Sequence, residues 1–220
     1  MSVSVQDIVA AQAHIGTLKN EAHPKTSKYW SEVTNGVVVI NPEVIAELEA
    51  AKAQVAAAKA AGKEILVVCE KKMYAEELEA LAAKAGVAFL NYKVSGGFLT
   101  NFDTFKKRID SINEMVSFME TDAFASLTKK EQLVYKRNFE RANKVYKGVT
   151  KLKKRPELVI IVDGNMLSTL IDEVENLKGK LEAIVIAGTN FSRYWPENEI
   201  ITTNINSYQS LDFVLKSILL

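Results

Sequence analysis

Five short apolar runs punctuate the chain: VVVI at 37–40, ILVVC at 65–69, VAFL at 87–90, LVIIV at 158–162 and AIVI at 183–186. Each is rich in β-branched side chains, and none alternates with polar residues, so each reads as a strand buried on both faces. Between them the period changes. Over residues 43–61, Val44, Ile45, Leu48, Ala51, Val55 and Ala58 recur at helical spacing, and Gly62 closes the run. The same reasoning predicts helices over 73–85, closed by Gly86, over 166–177 and over 207–219. Strands apolar on both faces, separated by amphipathic helices, specify a mostly parallel sheet covered on both sides: a three-layer α/β domain.

Residues 99–155 break that rhythm. No strand-like run occurs there, but Phe105, Ile109, Ile112, Val116 and Met119 form one helical stripe, and Tyr135, Phe139, Ala142, Tyr146 and Val149 form another. Two facing helices are expected, an antiparallel coiled-coil hairpin inserted at 99–155 into an α/β domain made of residues 1–98 and 156–220. In the link TDAFASLTKKE, Thr128 stands three residues before Glu131, the spacing of a capping box at the start of the second helix.

Charge changes the picture of that hairpin. The whole chain carries only +1, with 48% apolar and 25% charged residues. Between positions 128 and 155, however, eleven Lys or Arg face only Glu131 and Glu140, a local charge of +9 that leaves −8 on the remainder. A helix basic on every side but one apolar stripe meets solvent or a polyanion. A second basic segment, HIGTLKNEAHPKTSKYW at 14–30, sets Lys19, Lys25 and Lys28 among His14, His23, Tyr29 and Trp30. With Gly16 and Pro24 interrupting regular structure, it reads as an irregular loop suited to phosphate contacts and stacking.

Candidate catalytic chemistry is sparse. The turn after ILVVC is EKKMYAEE, with no glycine to admit a pyrophosphate, and the SGG at 95–97 fits neither dinucleotide nor P-loop patterns. SGG reads as a tight turn requiring positive φ. Asp163 closes LVIIVD, where α/β enzymes place carboxylates, but capping of the turn DGN is the simpler role. Cys69 reads as a small buried side chain. No catalytic residue, metal or cofactor is expected. No apolar run approaches the roughly 20 residues of a membrane span, and the start MSVSVQDIVAAQAH has neither secretory nor transit-peptide character. The expectation is a protein that works in the cytoplasm.

Several of these pieces resemble the small-subunit ribosomal protein uS2 family in its bacterial-type form. AHIG followed by HPK is similar to the family's V-H-F-G…N-P-K, NGVVVINPE to N-G-x-x-I-I-x-x-E, and SGGFLTNF to L-G-G-x-L-T-N-x. LTKKEQLVYKR resembles L-T-K-K-E, RPELVIIVD resembles L-P-D-x-x-x-V-x-D, and GTNF stands where the family reads D-T-N. The pieces run in order from 13 to 218. Departures include Asn91-Tyr92-Lys93 in place of N-H-R and Gly188 in place of aspartate. The resemblance implies a Rossmann-like or flavodoxin-like domain with a protruding hairpin, seated between head and body of the small subunit. It further implies contacts to 16S-type rRNA and neighbouring ribosomal proteins, docking of bS1 where the organism has it, and no enzymatic activity.

On that reading the RNA-binding candidates are His14, Lys19, His23, Lys25, Lys28, Trp30, Lys93, Lys129, Lys130, Arg137, Arg141 and Lys144. Gly96, Gly97, Thr100 and Asn101 shape a structural loop that leads into a helix beginning near Thr100. Two other readings stand beside it: a nucleotide- or phosphate-binding α/β enzyme with its site at 95–97 and Asp163, and a scaffold whose hairpin tip, Phe124 and Leu127, recruits a partner.

Overall fold

The computed structural model describes residues 4–41, 44–196 and 199–220, and the side chains of Val44 and Ile45 lie outside that description, as does Glu43. Among the described residues the helices are α1 (Val5–Ala10), α2 (Val44–Ala60), α3 (Ala75–Ala85), α4 (Phe102–Met119), α5 (Asp122–Ala125), α6 (Lys129–Tyr146), α7 (Ser168–Asn176) and α8 (Tyr208–Leu219). Strands β1 (Ile15–Leu18), β2 (Trp30–Thr34) and β3 (Val37–Ile40) pair antiparallel in the order β1-β3-β2. Strands β4 (Ile65–Val68), β5 (Ala88–Leu90), β6 (Leu158–Val162), β7 (Glu182–Ala187) and β8 (Ile200–Thr202) form a parallel sheet in the order β5-β4-β6-β7-β8. Counted from β4, that order is 2-1-3-4-5, the flavodoxin-like arrangement of a doubly wound α/β fold.

The parallel sheet divides its side chains by the two-residue pleat. Ile65, Val67, Leu158, Ile160, Val162, Ile184 and Ile186 face α2, α3 and α8, where Leu48, Val55, Leu78, Leu81, Leu211 and Val214 close one core. Leu66, Val68, Leu90, Val159, Ile161 and Val185 face the opposite layer, which contains Leu170, Ile171 and Val174 of α7. The expected three layers are present. Strands buried on both faces need β-branched or aliphatic residues at every position, and these runs supply them.

VVVI needs a correction. It is β3 of the small antiparallel sheet and not a strand of the parallel one. Its burial shows why: Val38 and Ile40 are buried, whereas Val37 and Val39 are only half-buried, the pattern of a sheet covered on one face. The segment 14–30 is likewise more regular than a loop, for it holds β1, a 3-10 helix over Pro24–Tyr29 and the first residue of β2. Mostly exposed strands such as WSEVT carry too few apolar positions to announce themselves, and β8 is only three residues long.

The hairpin is rooted in the second core. Phe102, Ile109, Ile112, Tyr146, Val149 and Leu152 belong to the same buried cluster as β4 and β6. At about 1.5–3 kcal/mol for each buried apolar side chain, this packing is on the order of 10 kcal/mol, comparable with the net stability of a whole domain. The base of the hairpin thus completes a layer. Farther out, Phe118, Phe124 and Tyr135 make a three-ring cluster with centroids 5.3–5.9 Å apart. Val116, expected in the apolar stripe, is 40% exposed, and Phe118 packs in the cluster. Phe124 is buried there, which withdraws it from any partner at the tip. The capping box at α6 forms as the spacing expects: the Thr128 hydroxyl accepts from the Glu131 N–H, and Glu131 Oε2 accepts from the Thr128 N–H at 2.9 Å. Bonds from Thr128 hold the Glu131 carboxyl below its ordinary value.

Candidate nucleic-acid interface

Thr189, in the loop after β7, organises the basic N-terminal segment. Its hydroxyl accepts from the Thr17 N–H at 2.8 Å, and its carbonyl accepts from the His23 N–H at 2.9 Å and the Thr26 hydroxyl at 2.6 Å. Ala13 adds a bond beyond β8, where its carbonyl accepts from the Thr203 hydroxyl at 3.2 Å. The small sheet is thereby fixed at the carboxyl edge of β7 and β8. A Cβ on Gly188 would lie 2.9 Å from Asn190 Oδ1 and 3.2 Å from Ile205, so the aspartate usual in the resembled family would crowd this loop.

These bonds sort the candidates of 14–30. His23 caps the 3-10 helix, with Nδ1 accepting from the Lys25 N–H at 3.2 Å. Trp30 Nε1 donates to the Thr26 hydroxyl at 3.1 Å, and His14 is half-buried, its carbonyl bonded to the Ile40 N–H. Lys25 reaches the Ser192 carbonyl at 3.2 Å, Lys28 lies over the Tyr29 ring, and Lys19 is exposed. Cations therefore face outward from a segment held together by the side chains of His23 and Trp30 and the backbone of His14.

The glycine loop has its own anion. Glu173 of α7 is 6% exposed and accepts from the N–H groups of Gly97 at 2.6 Å, Leu99 at 2.7 Å and Thr100 at 3.1 Å. Successive amides that converge on one point make a nest for an anion. Here a carboxylate occupies it, so those amides are not offered to a phosphate. Gly97 has φ +85°, but Gly96 is not in the left-handed region, so only the second glycine is demanded by the turn. Helix α4 starts at Phe102, two residues after the expected start. The pocket beside this loop, lined by Glu70, Lys93, Ser95, Gly96 and Met166 among others, is about 160 Å³. Ligand pockets usually exceed roughly 300 Å³.

The crevice between β4 and β6, where doubly wound sheets bind ligands, is spanned by an ion pair. Lys71 Nζ lies 2.9 Å from Asp163 Oδ2 and 3.0 Å from Asn206 Oδ1. Asp163 Oδ1 accepts from the Met166 N–H at 3.2 Å, and the residue takes φ +67° to make the turn. Burial pushes the nearby Cys69 thiol up to about 11, leaving it protonated at neutral pH. Among the described residues no three His, Cys, Asp or Glu converge as metal ligands.

Helix α6 presents the opposite electrostatics. Lys129, Lys130, Arg137 and Arg141 are exposed and form no ion pair among the described residues. Lys144 differs, with Nζ 4.3 Å from the ring centroid of Tyr92, itself 47% exposed. That cation–π contact ties α6 to the loop after β5, next to exposed Lys93. Thr189 and Glu173 are the residues sequence reasoning missed, and neither role is marked by the local sequence.

Known proteins are similar in sequence along nearly the whole chain. A family model described as Ribosomal protein S2 matches residues 8–219. The small ribosomal subunit protein uS2 of Francisella tularensis subsp. holarctica is 30% identical over 215 residues, covering 96% of this chain and 88% of that protein. The uS2 proteins of Francisella tularensis subsp. novicida and Francisella philomiragia are 30% and 29% identical over the same lengths. With a doubly wound sheet, a rooted helical hairpin and a family match over nearly its whole length, the chain belongs to the ribosomal protein S2 family, whose members are proteins of the small ribosomal subunit.

Proposed function

We propose that the chain is a structural, non-enzymatic constituent of the small ribosomal subunit that binds 16S-type rRNA between head and body. The observation that carries this reading is the set of unpaired cations on α6, in a chain matched to the family from residue 8 to 219. Lys129, Lys130, Arg137 and Arg141 neutralise backbone phosphates. Lys19, Lys25, Lys28, Lys93 and Lys144 add contacts, and His14, His23 and Trp30 keep the first segment in shape. The occupied glycine loop and the Lys71–Asp163 pair favour this reading over a nucleotide-using enzyme. Neighbouring ribosomal proteins share the interface, and a bS1-type protein docks where the organism has one. Its location is then the cytoplasm, within the small subunit.

Sedimentation of the tagged protein from lysate tests the proposal. Co-migration with small subunits that weakens at high salt is expected, because neutralised phosphates release condensed counterions. A free peak under both conditions would overturn it.

A further inference from the structure

The hairpin base holds a second concentration of cations, outside the candidates above. A pocket of about 400 Å³ opens there, lined by Lys106, Lys153, Lys154 and Arg155 together with Asp103 and the start of α4. Four cations and one carboxylate line it. Lys106 pairs with Asp110 at 2.5 Å and Lys154 with Glu157 at 2.9 Å, but Lys153 and Arg155 have no ion-pair partner among the described residues. Their position is fixed from both sides, because Leu152 is 1% exposed and Pro156 is buried ahead of β6.

The first turn of the 18-residue α4 contributes to the same pocket. Its cap, Asn101, makes no side-chain bond to the first amides, and its Oδ1 accepts from the Thr104 hydroxyl at 2.9 Å. Amides left without a cap, at the positive end of the helix dipole, favour an anion. An open pocket with two unpaired cations and such a helix start suits a phosphodiester running past it.

We propose that Lys153 and Arg155, supported by Lys106, Lys154 and the α4 N-terminus, form a second RNA-phosphate site at the hairpin base. This rests on the rRNA-binding reading above and extends it. At 1.5 Å per residue, the 18 residues of α6 separate Lys129 from the base by about 27 Å, more than three Debye lengths at physiological salt. Lys129 and Lys130, at the far end of the helix, therefore act independently of the base, whereas Arg141 and Lys144 lie near it. The protein then holds RNA backbone at two separate places, one at the far end of α6 and one at the base.

The test measures binding of in vitro transcribed 16S rRNA by the full chain across a salt series, with thermal unfolding of each variant as a control. K153A/R155A removes two phosphate-neutralising cations. It should weaken binding about 30-fold at 0.15 M salt, on a slope of roughly 0.9 per phosphate, and flatten the salt slope by about 1.8. Its effect should combine additively with that of K129A/K130A at the far end of α6. D103N neutralises the acid that lines the pocket and should tighten binding, a gain that misfolding does not produce. Wild-type affinity and slope in K153A/R155A, together with weakened binding in R137A/R141A, would overturn the basal site while leaving the rRNA-binding reading in place. Salt-independent binding by the wild type would overturn both.

Discussion

Glu173 illustrates how much can rest on one side chain. Its carboxylate accepts from three loop amides, so it determines the path of the chain from 97 to 100 and fills the place where an anion would sit. Removing it by Glu173→Ala should cost about 2–4 kcal/mol, since a buried amide without an acceptor costs about 1–3 kcal/mol and Leu99 is fully buried. Glu173→Gln keeps one acceptor and turns an NH2 group toward the other donors, so its destabilisation should be smaller. Urea unfolding of both variants checks the order, and equal stability of wild type and Glu173→Ala would refute the role. The sequence made SGG legible as a turn and as a poor phosphate loop. It could not reveal the partner, because Glu173 lies more than seventy residues away and nothing in its own helix distinguishes it from a solvated glutamate.

At the scale of elements, the decisive junction is where the hairpin returns to the sheet. A 3-10 turn over Lys147–Val149 follows α6 and lies against β5, and a Cβ on Gly148 would fall 2.2 Å from the Phe89 carbonyl oxygen. Gly148→Ala should therefore force the hairpin base off β5 and cost about 1–3 kcal/mol or more, read as a lower unfolding midpoint. No change in the midpoint would mean that the junction yields freely. Periodicity located α4 and α6, and Thr128 with Glu131 located the start of α6, because both signals are local. Which side of each helix enters the core was less legible. Val116 fits the ideal stripe but is exposed, while Phe118, outside the stripe, is half-buried against Phe124 and Tyr135.

For the molecule as a whole, the near-zero net charge conceals a divided surface, with +9 on residues 128–155 and −8 elsewhere. Charge reversal at Arg137, Arg141 and Lys144 should weaken rRNA binding and lower the magnitude of the salt slope by about 2–3, close to one for each phosphate no longer neutralised. An unchanged slope would remove the α6 face from the interface. By itself the sequence determined the α/β class, the hairpin, its cationic arm and the resemblance to the family, because strand burial, helical period, charge and motif order are all written in local residue types. Tertiary structure alone decided that VVVI joins an antiparallel sheet, that Thr189 gathers the N-terminal segment, that Glu173 occupies the amides of the glycine loop and that Lys71 pairs with Asp163. Those outcomes depend on pairings between residues far apart in the chain, and such pairings follow from how layers stack and which buried donors find acceptors, which no local pattern encodes.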